Sequence, residues 1–236
     1  MLPETLSVCA SVLLECDGNN DYWDPVFPAE LVRHHDVACF QTPVTVTLPI
    51  PEGRQWQSQC VLESHAQLMT LAVVRKLRLQ HPQGHPHCPC TLGRCVLPRR
   101  SSRVRTPSIG IPRGTLCQPW DQTLFVATHI PAVGRSAVCR RILAWRRTQR
   151  LPGAPLPEIV IMGQQHSLLR DDLMPLRKAG LRSVYELTRA RSERFPLYHT
   201  GTDIWVSPGI DVVESALLWG DRYRYPTISA TLRLVP

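Results

Sequence analysis

Leu124-Phe125-Val126-Ala127-Thr128-His129-Ile130, then Arg135 to Arg150, then Glu158-Ile159-Val160-Ile161-Met162, carries the clearest pattern of structural elements in this chain. The first run is apolar and β-branched and reads as a strand. In the second, Val138, Ile142 and Trp145 recur on one helical stripe with arginines around them. The third is a short continuous apolar strand closed by Gly163. Strand, helix and strand in that order favour a sheet with helices packed on it.

The same alternation extends in both directions. Upstream, Val44, Val46, Leu48 and Ile50 have the period of a half-buried strand. Ser64 and Gln67 have the form of a capping box, with Leu68, Met69, Ala72, Val73 and Leu77 continuing on one helical face. Downstream, Ser167 is placed to cap a helix that begins at Leu168, is interrupted near Pro175 and stops at Gly180. Ser183 and Glu186 make a second capping box for a helix over 184–191. Ser207-Pro208-Gly209 precedes Ile210, Val213, Leu217 and Leu218, which predicts a final helix ended by Gly220. Ile228, Ala230, Leu232 and Leu234 alternate into a last strand. The expectation is an α/β fold, a mixed sheet flanked by helices, forming one domain over 43–236. Residues 1–42 read as an acidic, irregular amino-terminal arm, and residues 80–120 as a proline-rich basic loop.

A chain of 236 residues that is 43% hydrophobic can bury a sizeable core. Glu4 and Glu15 interrupt the first apolar run, so it does not resemble a secretory leader. No stretch approaches the ~18 apolar residues of a membrane span. These features predict a nuclear or cytoplasmic protein that is not secreted. In such a reducing setting the nine cysteines suit buried thiols or metal ligands better than disulfides.

Charge is distributed unevenly. Residues 64–157 hold fifteen Arg or Lys against the single carboxylate Asp121, whereas residues 1–63 hold nine acids against Arg33 and Arg54. Such asymmetry implies an anionic partner, nucleic acid or an acidic protein surface. Guanidinium groups supply nearly all the positive charge, and their planar forks match phosphate oxygens. Candidate contacts are the run Arg99, Arg100, Arg103 and Arg105 and, on the predicted helix, Arg140, Arg141, Arg146 and Arg147. GC-rich coding gives the same arginine excess without any contact. Lysine is limited to Lys76 and Lys178, so ubiquitin acceptors are few, which suits a partner in a ubiquitin ligase or another host factor.

The densest set of soft ligands is His81, His85, His87, Cys88, Cys90 and Cys95. Zinc takes three or four such groups, while the prolines at 82, 86 and 89 also suit a plain rigid loop. With His65-Ala66-Gln67 upstream, the sequence Pro89-Cys90, four residues, Cys95 resembles the zinc-dependent cytidine deaminase superfamily, whose pattern is His-x-Glu followed by Pro-Cys-x(2 to 4)-Cys. The resemblance implies that His65, Cys90 and Cys95 hold zinc. Gln67 stands where that family has its proton-shuttling glutamate, and an amide cannot move the proton, so the resemblance implies an inert site.

Two further motifs invite chemistry. Met162-Gly163-Gln164-Gln165-His166-Ser167 follows a strand, and its backbone amides could receive a phosphate, although it also fits an ordinary strand-to-helix turn. His34-His35-Asp36 reads as a polar segment at the surface. The function expected from all of this is a non-enzymatic regulatory or accessory protein, binding nucleic acid or a cellular factor through an Arg-rich surface on a zinc-stabilised, deaminase-like scaffold. The alternatives are a viral-type adaptor acting through protein contacts without zinc, and an active zinc-dependent deaminase.

Overall fold

A computed structural model describes residues 5–12, 30–31, 33–43, 56–62, 67–74, 113–115, 120, 123–128, 130, 134–164, 173–191, 202–220 and 223–235. Its strands are β1 (Thr5–Val12), β2 (Val37–Pro43), β3 (Trp56–Leu62), β4 (Gln67–Val74), β5 (Arg113–Thr115), β6 (Thr123–Ala127), β7 (Glu158–Gln164), β8 (Arg182–Ser183), β9 (Thr202–Val206), β10 (Ile210–Gly220) and β11 (Tyr223–Leu234). Its helices are α1 (Arg135–Thr148), α2 (Met174–Lys178) and α3 (Val184–Arg191).

The expected α/β class with mixed sheets and flanking helices is present, but the strands form two sheets. One runs β10-β11-β1-β2-β4-β3 and the other β5-β6-β7-β9-β8. Strand periodicity shows how they pack. Along β6, β7 and β9, Phe125, Ala127, Val160, Met162, Ile204 and Val206 join a core with Leu6, Val8, Ala10, Val37 and Cys39 of the six-stranded sheet. The alternate residues Leu124, Val126, Ile159, Ile161 and Trp205 enter a second core with Val138, Cys139, Ile142 and Leu143 of α1 and Leu176 of α2. The molecule is therefore a sandwich of two sheets, with α1 and α2 on the outer face of the smaller one and α3 joined through Val184 to the core between the sheets. The thiol of Cys39 reaches the carbonyl of Met162 at 3.5 Å and marks how closely the sheets meet.

The structure departs from three expectations. The amino-terminal 42 residues are not an irregular arm, because they supply β1 and β2. β1 pairs antiparallel with β11 and parallel with β2, and so lies inside the larger sheet. The stretch read as a helix from Ser64 is the strand β4 from Gln67, held antiparallel between β2 and β3. A nearly continuous apolar run fits an interior strand as well as a helical face, and pairing on both sides decides the matter.

The predicted final helix is likewise a strand. β10 forms a hairpin with β11, and its register shifts between Val212 and Glu214. This bulge leaves Val213 exposed and puts Ile210 and Val212 on one side of it and Leu217, seven residues from Ile210, on the other. Seven residues are two helical turns, so the bulge gave a strand the spacing of a helix.

Candidate functional site at the carboxyl ends of the parallel strands

Two parallel pairs, β1 with β2 and β6 with β7, run toward the same end of the sandwich. In open α/β sheets the crevice beyond such carboxyl ends is where ligands bind. The inward-facing rungs change character there. On β2 the series is Val37, Cys39, Gln41, and on β7 it is Val160, Met162, Gln164. Antiparallel β9 arrives from the other direction as Val206, Ile204, Thr202. Gln41, Gln164 and Thr202 are all buried, so this end of the inter-sheet space is lined by amides and a hydroxyl.

Backbone contacts fix the lining. Gln164 and Thr202 are register partners. Thr128 and Ile130 donate their N–H groups to the carbonyls of Met162 and Gln164 at 2.8 and 2.7 Å, which prolongs the β6–β7 contact past the last strand residue. Gly163, just before Gln164, has a φ of 134°, a conformation that side chains rarely adopt. On the other face of the larger sheet at this end, Thr227 donates its hydroxyl to Ser11 Oγ at 2.9 Å.

Asp203 adjoins Thr202 but turns the opposite way. Its carboxylate accepts hydrogen bonds from Ser183 Oγ at 2.5 Å and from the backbone N–H groups of Tyr185 and Ile204 at 2.9 and 2.7 Å. Ser183 Oγ in turn accepts from Glu186 N at 3.1 Å. Of the capping box expected at 183–186, the Ser183 half starts α3, with a carboxylate beneath it, while the Glu186 side chain accepts from Arg177 instead. Burial pushes Asp203 up to about 7, against the three hydrogen bonds that favour the anion.

The opposite end of the sandwich is tied together. Arg146 is buried, donates from Nε to the carbonyl of Pro157 at 2.6 Å, and lies 3.9 Å from Glu158. Burial lowers its pKa despite that carboxylate. Glu158 also accepts from Ser207 Oγ and from Gly209 N. Arg146 is therefore a structural strap and not the phosphate contact expected of it. Arg140, Arg141 and Arg147 are exposed on α1, while Trp145 packs against the helix-side core.

The other expected residues divide plainly. His65, Cys90, Cys95, Arg99, Arg100, Arg103 and Arg105 lie outside the described residues. Gln67 opens β4 opposite Pro43 and is not at a helix start. His35, expected at the surface, is buried, with Nδ1 2.8 Å from the carbonyl of Leu31, and Asp36 accepts from Ser7 N at 3.1 Å. Gln41 and Thr202 were not singled out from sequence. Their signal was a polar residue ending an apolar run.

No family model matches this chain, and no curated protein matches it in sequence. Solved structures do match its fold. An endonuclease/exonuclease/phosphatase from Bacteroides vulgatus superposes with a TM-score of 0.64 at 13% identity, over 98% of this chain and 99% of that one. A protein of the same description from Bacteroides thetaiotaomicron gives 0.60 at 13% identity, over 97% of each chain. TDP2 from D. rerio, complexed with a single strand DNA product, gives 0.51 at 13% identity, over 98% of this chain and all of that one. The chain has the fold of the endonuclease/exonuclease/phosphatase proteins.

That finding overturns the deaminase resemblance. The His-x-Gln and Pro-Cys-x4-Cys segments matched on short spacing alone, and β4 stands where the resemblance needs a helix. The non-enzymatic regulatory reading and the zinc deaminase lose the deaminase-like scaffold they were built on, and the solved structures that share this fold carry the names of nucleases and phosphatases, which does not favour the viral-type adaptor either.

Nucleases and phosphatases commonly use divalent cations bridging the attacking and leaving oxygens, and such hard cations take oxygen ligands, with carboxylates foremost. Gln41, Gln164 and Thr202 supply neutral donors and acceptors, and Asp203 is committed to α3. Among the described residues, no three His, Cys, Asp or Glu side chains come together to hold an ion. The described lining does not fit a divalent cation. Among the described residues, no helix is long and apolar enough to cross a membrane.

Proposed function

We propose that this chain is a hydrolase of phosphate esters in nucleic acid, with the ester seated at the strand-end mouth lined by Gln41, Gln164 and Thr202. The observation that carries the reading is the whole-length likeness of its backbone to endonuclease/exonuclease/phosphatase proteins. One relative in fold, the D. rerio TDP2, is complexed with a single strand DNA product, which favours a single-stranded substrate here. The arginine-rich middle segment supports the same class of partner through its charge.

The chemistry open to the lining is positioning. A side-chain amide can donate to a non-bridging phosphate oxygen and so hold the ester in one orientation, and a threonine hydroxyl can donate or accept as the charge on that oxygen grows. Packing below these groups by Cys39, Met162 and Ile204 keeps water from the base of the site. The Cys/His segment 81–95, outside the described residues, has the soft-ligand composition that suits zinc, and metal content of the purified protein tests that. A nuclear or cytoplasmic setting accords with a nucleic-acid substrate.

The test is hydrolysis of an end-labelled single-stranded oligonucleotide by the full chain, in buffers with and without divalent cation. Q164L and Q41L should each lower the rate about tenfold, the worth of roughly one charge-assisted hydrogen bond, with unchanged thermal unfolding. A wild-type chain inert toward both DNA and RNA strands overturns the reading.

A further inference from the structure

Helix α1 buries Val138, Cys139, Ile142 and Leu143 against the smaller sheet and turns a basic face outward. Arg140, Arg141 and Arg147 are exposed on that face together with Ala137, Ala144 and Thr148. At 100° per residue Arg140 and Arg147 stand within about 20° of one stripe and Arg141 about 100° round from Arg140, with the two alanines between. The three guanidinium groups thus border a low strip of small side chains. Arg140 and Arg147 are separated by about 10.5 Å along the axis, close to three steps of a stacked strand at the 3.4 Å rise per phosphate.

Among the described residues the charges on this face are uncompensated. No carboxylate occurs between Arg135 and Arg150, and Arg140, Arg141 and Arg147 form no ion pair with any described residue. Lys178 at the end of α2 is exposed as well. Nearby Glu186 is engaged by Arg177. Placing cations in the last turn favours the helix macrodipole, which accounts for Arg147 but not for Arg140 and Arg141 in mid-helix. The position is also distinct from the mouth. Arg146 ties the carboxyl-terminal end of α1 to Pro157 and Glu158 at the amino end of β7, whereas Gln164 lies at the other end of that strand.

We propose that the outward face of α1 is a docking surface for the phosphate backbone of a nucleic-acid strand, contacted by Arg140, Arg141 and Arg147 and separate from the strand-end mouth. It goes beyond the hydrolytic reading and does not need the mouth to be catalytic. A strand lying along α1 meets guanidinium forks suited to phosphate oxygens, and the alanines let its backbone approach the helix.

Fluorescence anisotropy of a labelled 20-nucleotide oligo-dT, measured with the full chain from 50 to 200 mM salt, tests this. Replacing Arg140, Arg141 and Arg147 together by Gln keeps helix-forming side chains and removes the charge. The expected result is weaker binding and a salt slope smaller by about 2, from three lost contacts at ~0.7 each on a single strand. Hydrolysis of a dinucleotide, which offers only one phosphate linkage, should be unchanged in this variant, so a failure of the hydrolytic reading stays distinguishable. Should the triple variant fail to fold, R147E alone should lower the slope by about 0.7. An unchanged slope overturns the proposal, as does a wild-type chain that does not bind the oligonucleotide. Displacement by poly-glutamate at equal charge also overturns it, in favour of an acidic protein surface.

Discussion

Ser183 donates its hydroxyl to Asp203 at 2.5 Å while accepting from Glu186 N, and so links the strand beside the candidate site to the first turn of α3. One side chain serves as both N-cap and partner of a buried carboxylate. Replacing Ser183 by Ala should cost about 1–2 kcal/mol, the usual worth of such a cap, with part of the loss arising from the carboxylate left with one donor fewer. Urea unfolding measures this, and an undiminished midpoint would show that the cap contributes nothing.

The same carboxyl group sets a pH dependence. Its pKa in the folded chain is raised to about 7, above the ordinary value of about 3.9 in an unfolded chain, so the folded state holds the proton more tightly. Its stabilising contribution is full below pH 4 and is lost as pH rises toward 7, at no more than about 1.4 kcal/mol per pH unit. His35, whose pKa burial lowers, acts in the opposite sense, since the folded state then favours its neutral form. The readout is therefore the difference between wild type and D203N across pH 4 to 7.5. Wild-type stability should fall relative to the variant as pH rises, and a flat difference would contradict the account.

Arg146 and Arg147 are neighbours with different work. Arg146→Ala removes a buried bond to the Pro157 carbonyl and a cation near Glu158, and should cost about 1–3 kcal/mol. Arg147→Ala should leave stability within about 0.5 kcal/mol, as an exposed position does, while weakening oligonucleotide binding. Thermal unfolding and anisotropy on both variants check the pair. The reverse assignment would place the strap and the contact the wrong way round.

Gly209 has a steric reason to lack a side chain. A Cβ there would stand 2.5 Å from Glu158 Oε1, and that carboxylate is held by Ser207 Oγ and by the N–H of Gly209 itself. Gly209→Ala should displace Glu158 and destabilise the chain by about 1–3 kcal/mol. Gly153, with open space around its Cβ position but a φ of 77°, should cost nearer 1 kcal/mol as Ala, from the backbone alone. Equal losses at the two sites would argue against the steric explanation.

The centre of the smaller sheet and its helix were legible because their signals were local. The apolar runs at Leu124 and Glu158 are β6 and β7, the stripe of Val138, Ile142 and Trp145 is α1, and Ser183 does cap α3. The rest was decided by partners distant in sequence. β1 reads as an apolar fragment in an acidic segment until β11 and β2 flank it, β4 keeps a helix-compatible pattern until two strands claim it, and the bulge in β10 imitates helical spacing. The site shares this origin. Gln41, Gln164 and Thr202 are each an ordinary polar residue at a strand end, and only the stacking of two sheets puts them at one end of the inter-sheet space. The His65, Cys90 and Cys95 pattern misled because three short matches at degenerate spacing carry little information without the scaffold that would unite them.

Product analysis of a 5′-labelled single-stranded oligonucleotide incubated with wild-type chain and with Q164L decides whether the strand-end residues take part in hydrolysis. The wild type should give shortened or dephosphorylated product, at a rate about tenfold lower in Q164L, with both proteins equally folded. Equal product from the two would remove the mouth from the reaction, and no product from the wild type on DNA or RNA would contradict the assignment of phosphate-ester hydrolysis.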